Sequence, residues 1–371
     1  MSESDGAFAV WTDERAQARQ RRAREEGRRR VAQERSEQFN TVSVLDVLLA
    51  GFGGLGSQDH QSAMYLPALT AHPGFRVVAV AATGPADAER AQAAARRLSL
   101  PYHDDLTIAL DTVDAPVVSV AAPAAQRADV LTTVLGRGRH VLADKPLTPT
   151  LAEAERVAEA ARRAGTTVVV AHHHRFHPMI TAAAAALRGG RVGLPWNVQA
   201  DFVVAGGNPC PGEELLNFGG YPVDVVAALT GLPVRRVHAL SAGDGELSLL
   251  ALDHEHGLTS TIVVGRTTPR ADVRPGGLAR HHYRVSGSHG VLLLDATKPA
   301  ATVTTAAGVD RHWLTVDTVD GLLDELHAAV TTGRPTVVGI EEALRTARVL
   351  AAAGQSLAQG VPVPIDGGLL G

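Results

Sequence analysis

Val44-Leu-Asp-Val-Leu-Leu-Ala50 runs without a break into Gly51-Phe-Gly-Gly-Leu-Gly56. The first stretch is a short apolar run that reads as a buried strand. The second carries glycines at a spacing that permits a tight turn and close approach of a pyrophosphate to the backbone. A helix after such a turn offers free N–H groups to phosphate oxygens. A glycine pattern alone is weak evidence, so the residues that follow decide its meaning. Strand-like runs recur at Arg76–Ala81, Pro116–Ala121, His140–Ala143 and Thr166–Ala171, separated by helical stretches at Ala86–Leu98, from Ala125, and at Leu151–Ala164. This alternation predicts a parallel sheet with helices on both faces, an N-terminal dinucleotide-binding domain over residues 41–174. Ligands of such sheets bind beyond the carboxyl ends of the strands, where Gly51, Thr83, Pro123 and Lys145 converge.

The expected cofactor contacts are the loop residues Gly51, Phe52, Gly53, Gly54, Leu55 and Gly56 and the strand ends Ala82, Thr83, Ala122 and Pro123. The polar stretch Ser57-Gln-Asp-His-Gln-Ser62 either starts the next helix early or lengthens the loop over the cofactor. The second strand ends in Ala81-Ala82-Thr83-Gly84, without the acid that grips ribose hydroxyls in NAD-preferring sites. Thr83 is able to donate to a 2′-phosphate and Arg90 to swing toward it, which favours NADP over NAD. The plainer reading leaves Arg90 on a solvated helix face.

Of 35 cationic side chains only Lys145 and Lys298 are lysines, so Lys145 reads as a chemical requirement. Arginine stays protonated, whereas a lysine ammonium has a pKa that moves with burial and can share its proton with a reacting oxygen. Lys145 stands in Asp144-Lys-Pro146, directly after an apolar strand.

At 371 residues the chain has room for two domains and an appendage. A hydrophobic content of 45% with 20% charged residues is that of a folded soluble protein, and a net charge of −4 gives no electrostatic reason to expect nucleic acid as a partner. The lone Cys210 excludes an internal disulfide and suits a reducing cytoplasm. The absence of a bilayer-length apolar run and of a secretory signal core supports the same expectation of a cytoplasmic protein with no membrane partner. Residues 1–40 form a charged arm, rich in Arg and Glu, which reads as a frayed helix or a segment docking on a second subunit through Trp11 or Phe39.

Residues 175–371 read as a C-terminal α/β domain with an open, mostly antiparallel sheet. Strand-like runs lie at Trp196–Val204, Val234–Ser241, Glu246–Leu252, Leu258–Val264, His281–Ser286, Gly290–Asp295 and His312–Val316, with helices at Tyr221–Leu229 and Ile340–Gln359. Within it, Asn217-Phe-Gly-Gly-Tyr-Pro-Val-Asp224 places Tyr221 and Asp224 one helical turn apart. A tyrosine there is positioned to exchange a proton, and a nearby lysine would lower its pKa. His172, His173, His174 and His177 include a possible metal-ligand pair without a third ligand at convincing spacing, so no metal is expected and one histidine meets substrate. Few charged anchors occur in residues 204–214, which favours a neutral polyol or a nucleotide-linked sugar.

The glycine loop, Asp144-Lys145-Pro146, the His174-Arg-Phe-His-Pro178 segment and the Gly219–Gly231 helix together resemble the glucose-fructose oxidoreductase, inositol dehydrogenase and rhizopine catabolism family from about Val42 onward. The resemblance implies an N-terminal Rossmann domain, a C-terminal α/β domain with an open sheet, hydride exchange between a nicotinamide and the secondary alcohol or ketone of a sugar, cyclitol or related intermediate, and homo-oligomers, dimers or tetramers, built by sheet pairing. It makes Lys145, Tyr221 and Asn217 the catalytic set, adds Asp144 and Arg127 to the cofactor contacts, and puts His174, Arg175 and Asp224 near substrate. Asn217 stands where many members carry an aspartate, Tyr221 where many carry a histidine, and Arg127 where a histidine is common. Asn217 cannot exchange protons, which keeps a non-catalytic NADP-binding sensor as an alternative. Imine or enone reduction and redox-assisted sugar cleavage are further alternatives.

Overall fold

The computed structural model describes residues 43–207, 209–210, 213–242, 246–297, 300–305, 308–313 and 317–365. The arm of residues 1–40, with Trp11 and Phe39, lies outside them, as does Lys298. The chain divides into two compact units. One contributes an antiparallel hairpin of Ala300–Thr305 against Gly308–Trp313. The other, residues 45–299 and 316–371, holds everything described below.

Its first sheet is parallel throughout, with strands β1 (Leu45–Ala50), β2 (Phe75–Ala81), β3 (Tyr102–His103), β4 (Val117–Val120), β5 (His140–Ala143) and β6 (Val168–Val170) in the order β3-β2-β1-β4-β5-β6. The order reverses between β1 and β4, the switch point beyond which α/β sheets bind ligands. Leu48 and Ala50 enter one core while Val47 and Leu49 enter the other. A strand covered on both faces has no polar side, which is why β1 reads as an unbroken apolar run.

The helices are α1 (Leu66–Ala71), α2 (Ala88–Leu98), α3 (Leu106–Thr112), α4 (Ala124–Gly136), α5 (Leu151–Ala164), α6 (Pro178–Arg188), α7 (Glu214–Phe218), α8 (Gly220–Thr230), α9 (Thr318–Thr332) and α10 (Ile340–Gln359). The stretch after the glycine loop lengthens it. Helical structure begins with a π-turn at Gln61–Tyr65, and α1 follows.

Strands β7 (Pro195–Ala205), β8 (Val234–Ala242), β9 (Leu247–His254), β10 (Thr259–Thr267), β11 (Gly277–Gly287) and β12 (Gly290–Asp295), with β15 (Val363–Pro364), make the second sheet in the order β12-β11-β7-β10-β9-β8-β15. Its pairs are antiparallel except β7 with β10. Strands β13 and β14 are the hairpin.

Two helices after this sheet return to the first one. Val319, Leu322, Leu323 and Leu326 of α9 join the core that holds Val47 and Leu49. Along α10, Ala343 and Leu344 enter the other core of the first sheet, while Val349, Ala352 and Ala353 enter the core of the second. Helix α10 thus belongs to both layers and fixes the second sheet against the strand ends where Lys145 sits.

Candidate active site

The glycine loop is tied to both neighbouring strands. Gly51 N–H donates to Ala81 O (3.1 Å), Gly53 N–H to Ala121 O (2.7 Å), and Ala124 N–H to Gly54 O (3.0 Å). Gly51 has φ +87°, and a Cβ there would lie 2.9 Å from the Ala122 backbone, while one at Gly53 would lie 2.8 Å from Pro123 N. Only glycine fits either position, so the loop forms a tight backbone cradle against the end of β4. Gln58 Oε1 and Gln126 Oε1 are buried acceptors with no partner among the described residues. Such atoms fit the donors of a dinucleotide.

The cradle is held by Asp87, which the sequence reading does not include. This buried carboxylate accepts from Phe52 N–H, Thr83 N–H and Gly84 N–H, each at 3.1 Å, and from Thr83 Oγ1 at 2.8 Å. The Thr83 hydroxyl therefore points to Asp87. Arg90 lies on an exposed helix face against Ala86 O. The phosphate clamp expected of Thr83 and Arg90 is not assembled. An acid does serve the end of β2, four residues later than the usual place and after a turn.

Asp144 and Lys145 leave the end of β5 into the same space. Asp144 is fully buried and accepts from Tyr65 OH (2.6 Å), His60 Nδ1 (2.9 Å) and Arg127 Nη2 (2.9 Å). Burial pushes its pKa up, but His60, Arg127 and Lys145 outweigh that and hold it well below the usual carboxylate range. Arg127 also donates to Ala122 O (2.9 Å) and Pro146 O. Its guanidinium is consumed in pinning the Asp144–Pro146 turn, so it shapes the cradle from behind.

Lys145 is 5% exposed, and burial lowers its pKa to about 8 against the raising effect of Asp144. Its Nζ donates to the Asn217 carbonyl O and to Asn217 Oδ1, both at 2.8 Å. It also lies over the Phe218 and Tyr221 rings, 5.6 and 5.1 Å from their centroids. The three expected catalytic residues thus meet at one point, with one correction. Burial and the charge of Asp144 raise the Tyr221 phenol well above its ordinary value, where a lysine-lowered phenol was expected. The ammonium faces the ring and gives its hydrogen bonds to Asn217.

Arg175 and Asp224, read as substrate contacts, bind each other: Nη2 to Oδ1 at 2.7 Å and Nε to Oδ2 at 2.9 Å. The pair is nearly buried and fastens the His173–Phe176 turn to α8. His174 sits among rings, with Tyr221, His281 and Phe202 at 4.5, 4.9 and 5.0 Å between centroids. Among the described residues no group of three His, Cys, Asp or Glu is arranged to hold a metal ion. A cavity of about 420 Å³ adjoins Lys145, Asn217 and His172, with Leu147, Leu215 and Leu350 in its walls.

Residues 45–172 match the family described as Gfo/Idh/MocA, an oxidoreductase family with an NAD-binding Rossmann fold. The first sheet is thus an NAD-binding Rossmann fold like that of this oxidoreductase family. A dTDP-3,4-didehydro-2,6-dideoxy-alpha-D-glucose 3-reductase of Streptomyces antibioticus is 29% identical over 260 residues, covering 66% of this chain and 75% of its own. A D-apiose dehydrogenase of Paraburkholderia graminis is 26% identical, covering 57% and 59%. Among solved structures, an oxidoreductase from Agrobacterium radiobacter in complex with NAD+, L-tartaric acid and magnesium superposes with a TM-score of 0.73 at 17% identity, covering 87% of this chain and 99% of that one. A protein of gentamicin A biosynthesis in complex with NAD gives 0.73 at 21%, covering 88% and 97%. The chain is accordingly an NAD-binding oxidoreductase of the dehydrogenase or reductase type. No helix among its described residues is long and apolar enough to cross a membrane.

Proposed function

We propose that this oxidoreductase reduces the ketone of a nucleotide-linked deoxysugar, with Lys145 and Tyr221 handling the proton and Asn217 orienting Lys145. The observation that carries the reading is the meeting of a buried ammonium, a protonated phenol and an amide carbonyl beside a cradle that only glycine can form. Bound nicotinamide supplies the hydride. Lys145 has three N–H donors and gives two to Asn217, which leaves one for the reacting oxygen. With its pKa near 8 the ammonium is protonated at neutral pH yet able to release its proton. Tyr221 keeps its phenolic proton, which suits a donor in the reductive direction.

The substrate class is supported by relatives in three genera named dTDP-3,4-didehydro-2,6-dideoxy-alpha-D-glucose 3-reductase, at 25–29% identity. For the cofactor, Asp87 supports NAD over NADP, because a buried carboxylate already claims the Thr83 hydroxyl. Exposed Leu240 and Leu249, paired across β8 and β9, and exposed Val291 and Leu293 on the β12 edge support a homo-oligomer.

The test is turnover of a dTDP-linked 3-keto-2,6-dideoxysugar with NADH and NADPH, against myo-inositol and D-apiose with NAD+ and NADP+, followed by mass spectrometry. Hydride incorporation into the nucleotide sugar is expected. Turnover confined to the free polyols, or none with any of them, would reject the reading.

A further inference from the structure

Glu214 opens α7 one turn before Asn217 and is 1% exposed. A buried carboxylate survives only with partners. Here Cys210 N–H and Arg266 Nε–H each donate to Oε1 at 2.7 Å, and Arg266 Nη2 donates to Oε2 at 3.3 Å. The remaining contact is Asn217 Nδ2–H to Oε2 at 3.2 Å. On the other side of the same amide, Oδ1 accepts from Lys145 Nζ at 2.8 Å and from Gln58 Nε2 at 3.2 Å.

An amide has two nearly isosteric ends, and its surroundings decide which way it turns. With Oδ1 toward an ammonium and an amide donor and Nδ2 toward a carboxylate, every contact is attractive. Turned over, Nδ2 would face the ammonium and Oδ1 the carboxylate. We propose that Glu214 is a positioning residue that fixes the Asn217 amide and, through it, the Lys145 ammonium at the reacting centre; this rests on the role given to Lys145 above.

The arrangement also accounts for the asparagine. An aspartate at 217 would set a second carboxylate about 3 Å from Glu214 in a buried site, where two like charges cannot both remain ionised. Amide at 217 and acid at 214 form one unit, with Arg266 holding the acid. The groups facing the ammonium are Asp144 after β5, Arg127 of α4, Cys210 in the loop before α7, Glu214 of α7, and the His173, Phe218 and Tyr221 rings.

The sequence has two lysines, so in full-length protein carrying Lys298→Arg a single ¹³Cε lysine resonance reports Lys145 without any substrate. Glu214→Gln should move its titration midpoint down by about one unit, because a negative neighbour is removed. In an Asn217→Ala background the same change should move it by less than half as much. Should Glu214→Gln fail to fold, Glu214→Gln with Arg266→Gln replaces the ion pair by a neutral amide pair, and the same downward direction is expected. A midpoint unmoved in folded protein, or moved equally in both backgrounds, overturns the proposal. A moved midpoint with turnover of the keto-sugar unchanged upholds the Glu214 link and sinks the role of Lys145 in the reaction.

Discussion

The ammonium of Lys145 faces the ring of Tyr221, 5.1 Å from its centroid, although 76 residues and a change of sheet separate them in the chain. The cis Lys145–Pro146 turn brings one from the end of β5, and the start of α8 brings the other. Neither group needs the other as a hydrogen-bond partner. Two proton donors therefore border the cradle independently.

Lys145→Met and Tyr221→Phe should each lower kcat by about 100- to 10,000-fold, the range of general acid–base help. Cofactor affinity, read by NADH fluorescence, should stay within about threefold, since the cradle is built by glycine backbone. Turnover kept in both variants would exclude them from the proton path.

The depressed lysine sets a pH limit. An ammonium that must donate to the reacting oxygen is lost as pH rises through its own pKa, so kcat should be flat below about 8 and fall toward tenfold per unit above it. Lys145→Arg stays protonated throughout this range. It should be slower, but its profile should lack that limb. A wild-type profile flat to pH 10 would show that the lysine proton is not used.

Legibility in the sequence followed distance along the chain. Strand β1, the glycine loop and Lys145 are contiguous, and their reading needed only local rules. The helix over Thr318–Thr332 is masked in the sequence, because its first turn is Thr-Val-Asp-Gly and it follows a strand-like run. Its real signals were the Asp317 N-cap, accepting from Val319 N–H, the spacing of Leu322, Leu323 and Leu326, and the left-handed Gly333. The alanine-rich Pro178–Arg188 helix lacks a distinct apolar stripe. Asp87 escaped because a ribose-side acid is sought at the strand end, whereas this one folds back from beyond a turn. Glu214 takes its meaning from Arg266, 52 residues away, and Arg175 from Asp224, 49 away. No spacing rule reports which distant charges will pair. That is how Arg175 and Asp224 could be read as substrate contacts when they satisfy each other.

Asp87 should carry both the cradle and the cofactor choice. Asp87→Ala leaves three backbone N–H groups without their acceptor, at about 1–3 kcal/mol for each one that stays buried. A fall in Tm and a tenfold or greater rise in the NAD dissociation constant are expected. Asp87→Asn keeps one acceptor oxygen and removes the charge, so the NADP to NAD affinity ratio should rise. Calorimetric titration with both nucleotides checks this, and an unchanged ratio would remove Asp87 from the discrimination.

His281 makes the fold sensitive to acid. Its ring is fully buried, neither nitrogen has a partner among the described residues, and burial lowers its pKa from 6.5 to about 3. The unfolded chain therefore binds a proton below about pH 6.5 that the folded chain refuses until about 3. Stability is fully present above 6.5 and falls as pH drops through that window, by up to about 1.4 kcal/mol per unit for such a group. His281→Phe replaces the imidazole with a ring that cannot take a proton. It fits beside Phe202 and Tyr283, whose centroids lie 5.1 and 5.5 Å away. The variant should match or exceed wild-type Tm at pH 7 and lose less of it by pH 4.5. Parallel melting curves at both pH values decide the matter, because an equal loss in the two proteins would mean that other groups, such as His173, carry the acid response.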